Sequence, residues 1–460
     1  MKHFIIIIFS GLFISIWNIG CSRKTADISM PVQELESFSS SGEADLPDRW
    51  WTVFESEMLN NLVDSALSSN LDLRTAWYRL QEARAIERRE KSSFFPRINA
   101  FGNAETSSGD DIPGSSDQFS AGLSASYEVD LWGRIRSAAR AQEFRTQASF
   151  LDYQTMALTI SSEVAFAWFE LQESRLQVDI ATEQFEINQR MVDLLRSRFG
   201  NGQTNYADVL RQERLLESTR EQMLIAESRA QVVENRLQVL IGNPPKKNSG
   251  FEKANLPVLP PLPETGIPSD LVKRRPDVVS QFNLLRAADR DRASAISSQF
   301  PRLSLSASLN SSSDNADDLF DNWVRSFAGN LMAPLFYGGE RRAEADRAEA
   351  VKNQRLYEYS QSVLIAFREV EDALVREKKQ KQRVESLKKQ LKLARDAYDQ
   401  IRRSYLNGMG NYLDVLTALE EEQRLQREIM AGRLTLLEYR ISLYRALAGG
   451  FETEEINQEQ

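Results

Sequence analysis

The residue types that most often perform chemistry are almost missing from this 460-residue sequence, which holds one histidine, His3, and one cysteine, Cys21. Both lie at the extreme N-terminus, so removal of a leader segment would leave no histidine at all. A Ser-His-Asp triad, a Cys-His dyad, a histidine-ligated zinc, a CxxC pair and a disulfide framework fall away together. The sequence also has no Walker lysine loop and no Gly-rich dinucleotide fingerprint. Carboxylates, tyrosines and lysines remain. Neighbouring acids such as Glu371 and Asp372 read as charges on a helix surface, and the methionines are too scattered for a thioether metal site. No cofactor and no metal is expected, and an enzyme would have to rest on a carboxylate pair. A net charge of −9 and a pI near 5.2 argue against a nucleic-acid partner. Hydrophobic residues at 42% and charged ones at 27% fit a chain that folds around a buried core.

The one thiol has a telling address. Met1-Lys2-His3 is a short basic start, Phe4 to Trp17 is mostly apolar, and the run stops at Asn18-Ile19-Gly20-Cys21. That is the layout of a secretory signal, here residues 1–20. A lone cysteine straight after Ile19-Gly20 resembles a bacterial lipoprotein box, in which the thiol is acylated and becomes residue one. Asn18 departs from that pattern, which usually has an aliphatic residue three places before the cysteine. A cysteine beside an ordinary cleavage site and an uncleaved anchor helix are the alternatives. Residues 21–48 form a Ser-rich, lipid-proximal linker. Mean hydropathy is −0.44 and no later apolar run is longer, so a bundle of membrane helices is excluded.

The elements around these residues are written twice. Phe95-Pro96-Arg97-Ile98 returns as Phe300-Pro301-Arg302-Leu303, shifted by 205, and Leu131-Trp132-Gly133 returns as Phe336-Tyr337-Gly338 at the same shift. Asn201-Gly202, Asn205-Tyr206 and Asp208-Val209-Leu210 return as Asn407-Gly408, Asn411-Tyr412 and Asp414-Val415-Leu416, shifted by 206. Leu240-Ile241-Gly242 matches Leu447-Ala448-Gly449. Residues 49–242 are thus a first repeat and 270–450 a second, joined by a Pro-rich linker at 243–269 and followed by a polar tail at 451–460.

Each repeat reads as a helix of about 35 residues ending at Phe-Pro, two short strands, a very long helix, a Gly/Asn turn and a last helix. From Phe119 to Leu131 every odd position is apolar, and the even ones are Ser120, Gly122, Ser124, Ser126, Glu128 and Asp130. Leu303 to Leu309 alternates in the same way, and Phe327 to Leu335 more weakly; Arg97 to Thr106 is poorly patterned. Period-two alternation gives one apolar and one polar face. A soluble sandwich would look the same, but lengths near 9–11 residues suit tilted membrane strands, and four strands leave no partner sheet. The smallest membrane barrels have eight strands, so four must be completed by other chains. Neither proline nor glycine interrupts Arg136 to Phe199 or Arg341 to Leu406. In the second stretch Val384, Leu387, Leu391, Ala394, Tyr398, Ile401 and Tyr405 step by three and four, a coiled-coil seam, while Arg376 to Arg383 reads as a solvated charge run. The fold class is α+β: a long-helix coiled-coil tunnel plus a barrel shared between at least two chains, internally duplicated.

Tyr127 to Arg136 (YEVDLWGRIR) and Ile267 to Val278 (IPSDLVKRRPDV) carry a resemblance to TolC-like outer-membrane efflux channels, in the lipoprotein branch that serves RND-type pumps. It covers nearly the whole mature chain. The resemblance implies a homotrimer, lipid-anchored in the outer membrane and extending through the periplasm. Its partners would be a periplasmic adaptor protein and an inner-membrane RND-type pump, and its role that of the exit duct for exported small molecules or ions. It further implies that Gly200, Asn201, Gly202, Asn205 and Tyr206, with Asn407, Gly408, Gly410, Asn411 and Tyr412, form the tip that meets the adaptor. Leu413, Asp414 and Thr417 would line the narrowest point. Thr417 stands where the family often has a second aspartate, so a double acidic ring is not expected. Read without the resemblance, the Gly/Asn turns are helix-hairpin stops, and Asp414 and its counterpart Asp208 are first-turn acids favoured by the helix dipole. A periplasmic coiled-coil adaptor or structural lipoprotein with a soluble β domain is the rival class.

Overall fold

A computed structural model describes residues 36–107, 116–245 and 250–447. The signal segment, Cys21 and the polar tail lie outside the described residues.

Four strands, β1 (Arg97–Ser107), β2 (Ser116–Val129), β3 (Arg302–Ser313) and β4 (Trp323–Met332), make one antiparallel sheet in the order β1-β2-β3-β4. Register settles what the pattern left vague. The weakly patterned β1 pairs Ile98 with Ala125 and Ala100 with Leu123, so its small and apolar residues share a face with the odd positions of β2. Leu123 faces Leu309, and Ala125, Ala307 and Phe327 run in line across the sheet. Ser124, Ser308 and Ser326 run in line on the other face. β4 begins at Trp323 and ends at Met332, so Leu335 lies beyond the strand expected there. Every residue of β1 and β4 is exposed, and among the described residues the outer edges of both are unpaired. The strands pack on one another rather than under helices. Among the described residues no helix covers their apolar face.

All the helices hang from one end of this sheet. They are α1 (Glu57–Ser69), α2 (Leu71–Lys91), α3 (Arg134–Gly200), α4 (Tyr206–Leu240), α5 (Pro268–Arg274), α6 (Pro276–Ser297), α7 (Glu340–Leu406) and α8 (Tyr412–Leu447). The single helix expected before each Phe-Pro is in fact two. Asn70 is extended and its carboxamide oxygen accepts from the amides of Asp72 and Leu73, capping α2. In the second repeat Pro276 forces the preceding Arg275 out of helical conformation. The long helices, by contrast, run unbroken for 67 residues each, roughly 100 Å at 1.5 Å per residue.

The repeated sequence landmarks mark the junction of sheet and helices. Trp132 stacks on Phe300 at 5.1 Å and its indole N–H donates to the Pro301 carbonyl at 2.7 Å. Gly133 and Gly339, at φ 78° and 90°, take the left-handed conformation that precedes α3 and α7. Asp130 accepts from the amides of Ile135 and Arg136, capping α3. Burial works to raise its pKa, but those amides and the Arg136 guanidinium hold it below the usual carboxylate range.

Below the junction α3 lies between α2 and α6, and α6 packs on α7; lower down, the order becomes α4, α3, α8, α7. Between these levels sits a core of Trp50, Trp51, Phe54, Trp168, Phe169 and Tyr444. Two extended segments wrap the helices at this height. Phe38 meets Phe367, the Ser39 amide donates to Glu371, and Gly42 and Ala44 bond to the 262–264 stretch. A Cβ on Gly42 would sit 1.8 Å from the Leu262 carbonyl oxygen, so only glycine fits. From the Pro-rich linker, the carbonyls of Phe251, Leu256 and Pro261 accept from Arg175, Arg433 and Arg440. Arg440, almost fully buried, also forms a two-toothed pair with Glu377. The expected solvated run is thus broken: Glu377 and Gln380 turn inward from it. The coiled-coil seam of α7 is formed. Val384 and Leu387 are buried, Leu391 and Ala394 pack near Leu425 and Ile429, and Tyr398, Ile401 and Tyr405 pack in the tip core.

Candidate functional site: the two hairpin tips

Each long helix ends in a tight turn that sends the chain back as α4 or α8. Gly202 and Gly408, at φ 68° and 75°, make the reversal. Asn205 caps α4 by accepting from the Asp208 amide at 2.9 Å, and Asn411 accepts from the Asp414 amide at 3.0 Å. Gly200, Asn201, Gly202, Asn407, Gly408, Gly410 and Asn411 are all exposed at the turns.

The equivalent side chains then part company. Tyr206 is 55% exposed and lies against Phe199, whereas Tyr412 is 2% exposed and its hydroxyl donates to Gln212 inside the tip. Tyr412 therefore departs from the surface contact expected of it: burial draws the ring between hairpins and pushes its phenol pKa up. Asp208 is buried, held by Arg211 at 2.9 Å and by the Thr204 hydroxyl at 3.0 Å. Asp414 is exposed, and its carboxylate has no ion pair among the described residues. Leu413 and Thr417 share an exposed side with it, the Thr417 hydroxyl bonding back to the Leu413 carbonyl at 2.9 Å. The structure thus brings Leu413, Asp414 and Thr417 together on the surface of the second tip.

Sequence reading missed the layer that joins the tips. Asn188, Gln212, Thr219 and Gln423 are buried side by side, with Asn188 donating to Thr219 at 2.7 Å and exchanging bonds with Gln423 at 3.3 Å. Gln184 donates to the Gln423 carbonyl at 3.1 Å. The signal was the recurrence of amides at helical spacing on otherwise apolar faces. Such a layer fixes register, since any slip leaves buried amides unpaired.

An open amphipathic sheet above twin 67-residue helices is the architecture of a known group. A family model described as outer membrane efflux protein matches residues 62–243 and 267–449. The chain belongs to the outer membrane efflux protein family. This efflux protein is 31% identical over 459 residues to the pyoverdine export outer membrane protein OpmQ of Pseudomonas aeruginosa, covering 95% of this chain and 94% of that one. It is 28% identical to the cation efflux system protein CusC of Escherichia coli, over 92% of this chain and 94% of that one. The solved outer-membrane channel OprN aligns with a TM-score of 0.85 at 26% identity, covering 92% of this chain and 98% of that one. The efflux protein is an outer-membrane channel that extends into the periplasm, and its family consists of channel proteins rather than enzymes. Its homologues are trimers that work with periplasmic adaptors and inner-membrane RND pumps.

Proposed function

We propose that this chain is the exit duct of a tripartite efflux system, carrying small molecules or ions from pump and adaptor to the exterior. The observation that carries this reading is the sheet: four strands, two open edges and an apolar face with no cover. In a bilayer each unpaired edge group costs several kcal/mol, so neighbouring copies supply the missing strands. Four strands from each of three copies make a twelve-stranded barrel, with the helices continuing the tube into the periplasm. The exposed turns at 200–206 and 407–411 are the adaptor-docking end, and Leu413, Asp414 and Thr417 form the constriction beside it. Repeats at 49–242 and 270–447 supply the two halves of each wall, and the described stretches 36–48 and 250–269 wrap it. Mass measurement in detergent should give a trimer that conducts in a planar bilayer; a monomer that keeps its sheet would overturn the reading.

The same reading makes Cys21 the acylated first residue of the mature chain. A fatty-acid probe should label the wild type and not Cys21→Ser. Equal labelling of both would return Cys21 to an ordinary cleavage site.

A further inference from the structure

At the height of the wrapping segments, α3, α7 and α8 enclose a groove of about 560 Å³. Helical geometry places it on the side away from the wrap. Arg440 reaches the linker carbonyls, while Glu438 and Ser442, two residues either way and so about 200° around the helix, line the groove. Glu371 accepts from the wrap, and Arg376, five residues on, lines the groove. Gln172 and Arg175 bond to the wrap, and Phe166 lines the groove. The wrap leads back toward the N-terminus and its lipid site, so it lies outside the tube. Granted the duct reading above, the groove faces the lumen.

Its charges are unevenly spent. Arg368 and Arg445 have no carboxylate partner among the described residues, and Arg376 has only Asp372 at 3.8 Å. Of the acids, Glu369 is engaged by Arg275 at 2.8 Å. Glu438 has no ion pair among the described residues, and burial pushes its carboxyl pKa up. The first repeat does not restore the balance. Glu170 and Glu173 stand 206 residues before Arg376 and Lys379, but Arg229 and Arg236 hold Glu170 at 3.1 and 2.5 Å, and Glu173 is buried.

We propose that this groove is a binding station for polyanionic cargo on the lumenal wall, with Arg368, Arg376 and Arg445 as its contacts. Guanidinium groups offer carboxylates and similar oxyanions paired donors, and a confined lumen strengthens the attraction. Three copies would ring the mid-tunnel with such sites, above the acidic Asp414 positions.

Citrate is a suitable probe. Added to one chamber of a planar bilayer, it should block the wild-type current, and block should be lost in the R368Q/R376Q/R445Q triple variant and only partly restored in the matching lysine variant, which keeps the charge without the paired donors. The triple variant's reversal potential in a KCl gradient should shift toward that of potassium. Calorimetry on detergent-solubilised protein should show citrate binding to the wild type and not to the triple variant. Binding unchanged in the triple variant would overturn the station. A wild type that binds citrate but never conducts would instead overturn the duct reading alone.

Discussion

The two repeats keep one backbone and spend their side chains differently. At the tips, Asp208 is buried and paired, while Asp414 is exposed and has no ion pair among the described residues. At mid-height, Glu170 and Glu173 of the first repeat correspond to Arg376 and Lys379 of the second. Gly202 and Gly408 are identical because the turn demands a left-handed residue, and Asn205 and Asn411 because the helix demands a cap. Positions that serve no such local need have drifted. Duplication preserves what a hairpin needs to form and frees everything the hairpin does not use.

The largest expected break between repeats lies in the buried pair of the second. Glu377→Ala strands the buried Arg440 guanidinium, and loss of one partner costs about 3–5 kcal/mol. Leu171, its counterpart in the first repeat, has no charge to lose. Denaturant titration followed by far-UV circular dichroism should show this loss, and an unchanged midpoint would mean the linker carbonyls alone hold Arg440. Next, Tyr412→Phe leaves the Gln212 oxygen unsatisfied in the tip core, at a cost of about 1–3 kcal/mol. Tyr206→Phe should leave the midpoint unmoved, and equal effects would erase the asymmetry of the tips.

A pH series sharpens the mid-height contrast. Burial is the main influence on Glu173 and raises its pKa above the ordinary 4.5, with Gln177 and Arg229 opposing in part. The folded state then holds this proton more tightly than the unfolded chain. Its contribution to stability is complete below the unfolded value and is lost as pH rises through the raised one. Stability should therefore fall as pH climbs above about 4.5 through that window, and Glu173→Gln should flatten the slope while Lys379→Gln does not. The same slope in Glu173→Gln would place the titrating group elsewhere. The smallest stability effect falls on the tip acids. Asp208→Asn should cost about 1 kcal/mol through its weakened bonds, and Asp414→Asn less than about 0.5. Single-channel recordings should reverse that order, with Asp414→Asn losing cation preference and Asp208→Asn keeping it.

Much of this was legible in the chain because its rules are local and periodic. Phe119 to Leu131 announces a strand by alternation, and Val384 to Tyr405 announces a coiled coil by its steps of three and four. Strand β1 was hard to read because Ala100, Gly102 and Ala104 are small, and only pairing with β2 shows which face they occupy. The split at Asn70 was hidden because one extended residue breaks a helix without proline or glycine. Tyr206 and Tyr412 occupy equal places in the repeat, and only the packing of one hairpin on the other decides which is buried. The amides at Asn188, Gln212 and Gln423 read as surface residues until the helices meet. The mid-height groove draws on three helices distant in sequence, so no single stretch could show it.

The unbroken length of α3 and α7 has a last consequence. No hinge residue interrupts either rod, so the distance from the sheet to the hairpin tips is set by residue count alone. The chain is a ruler between sheet and tips. Removing one heptad from each of α3, α4, α7 and α8 would preserve every seam yet shorten the reach by about 10 Å. A pump and adaptor assembled for the original length would then find nothing to grip.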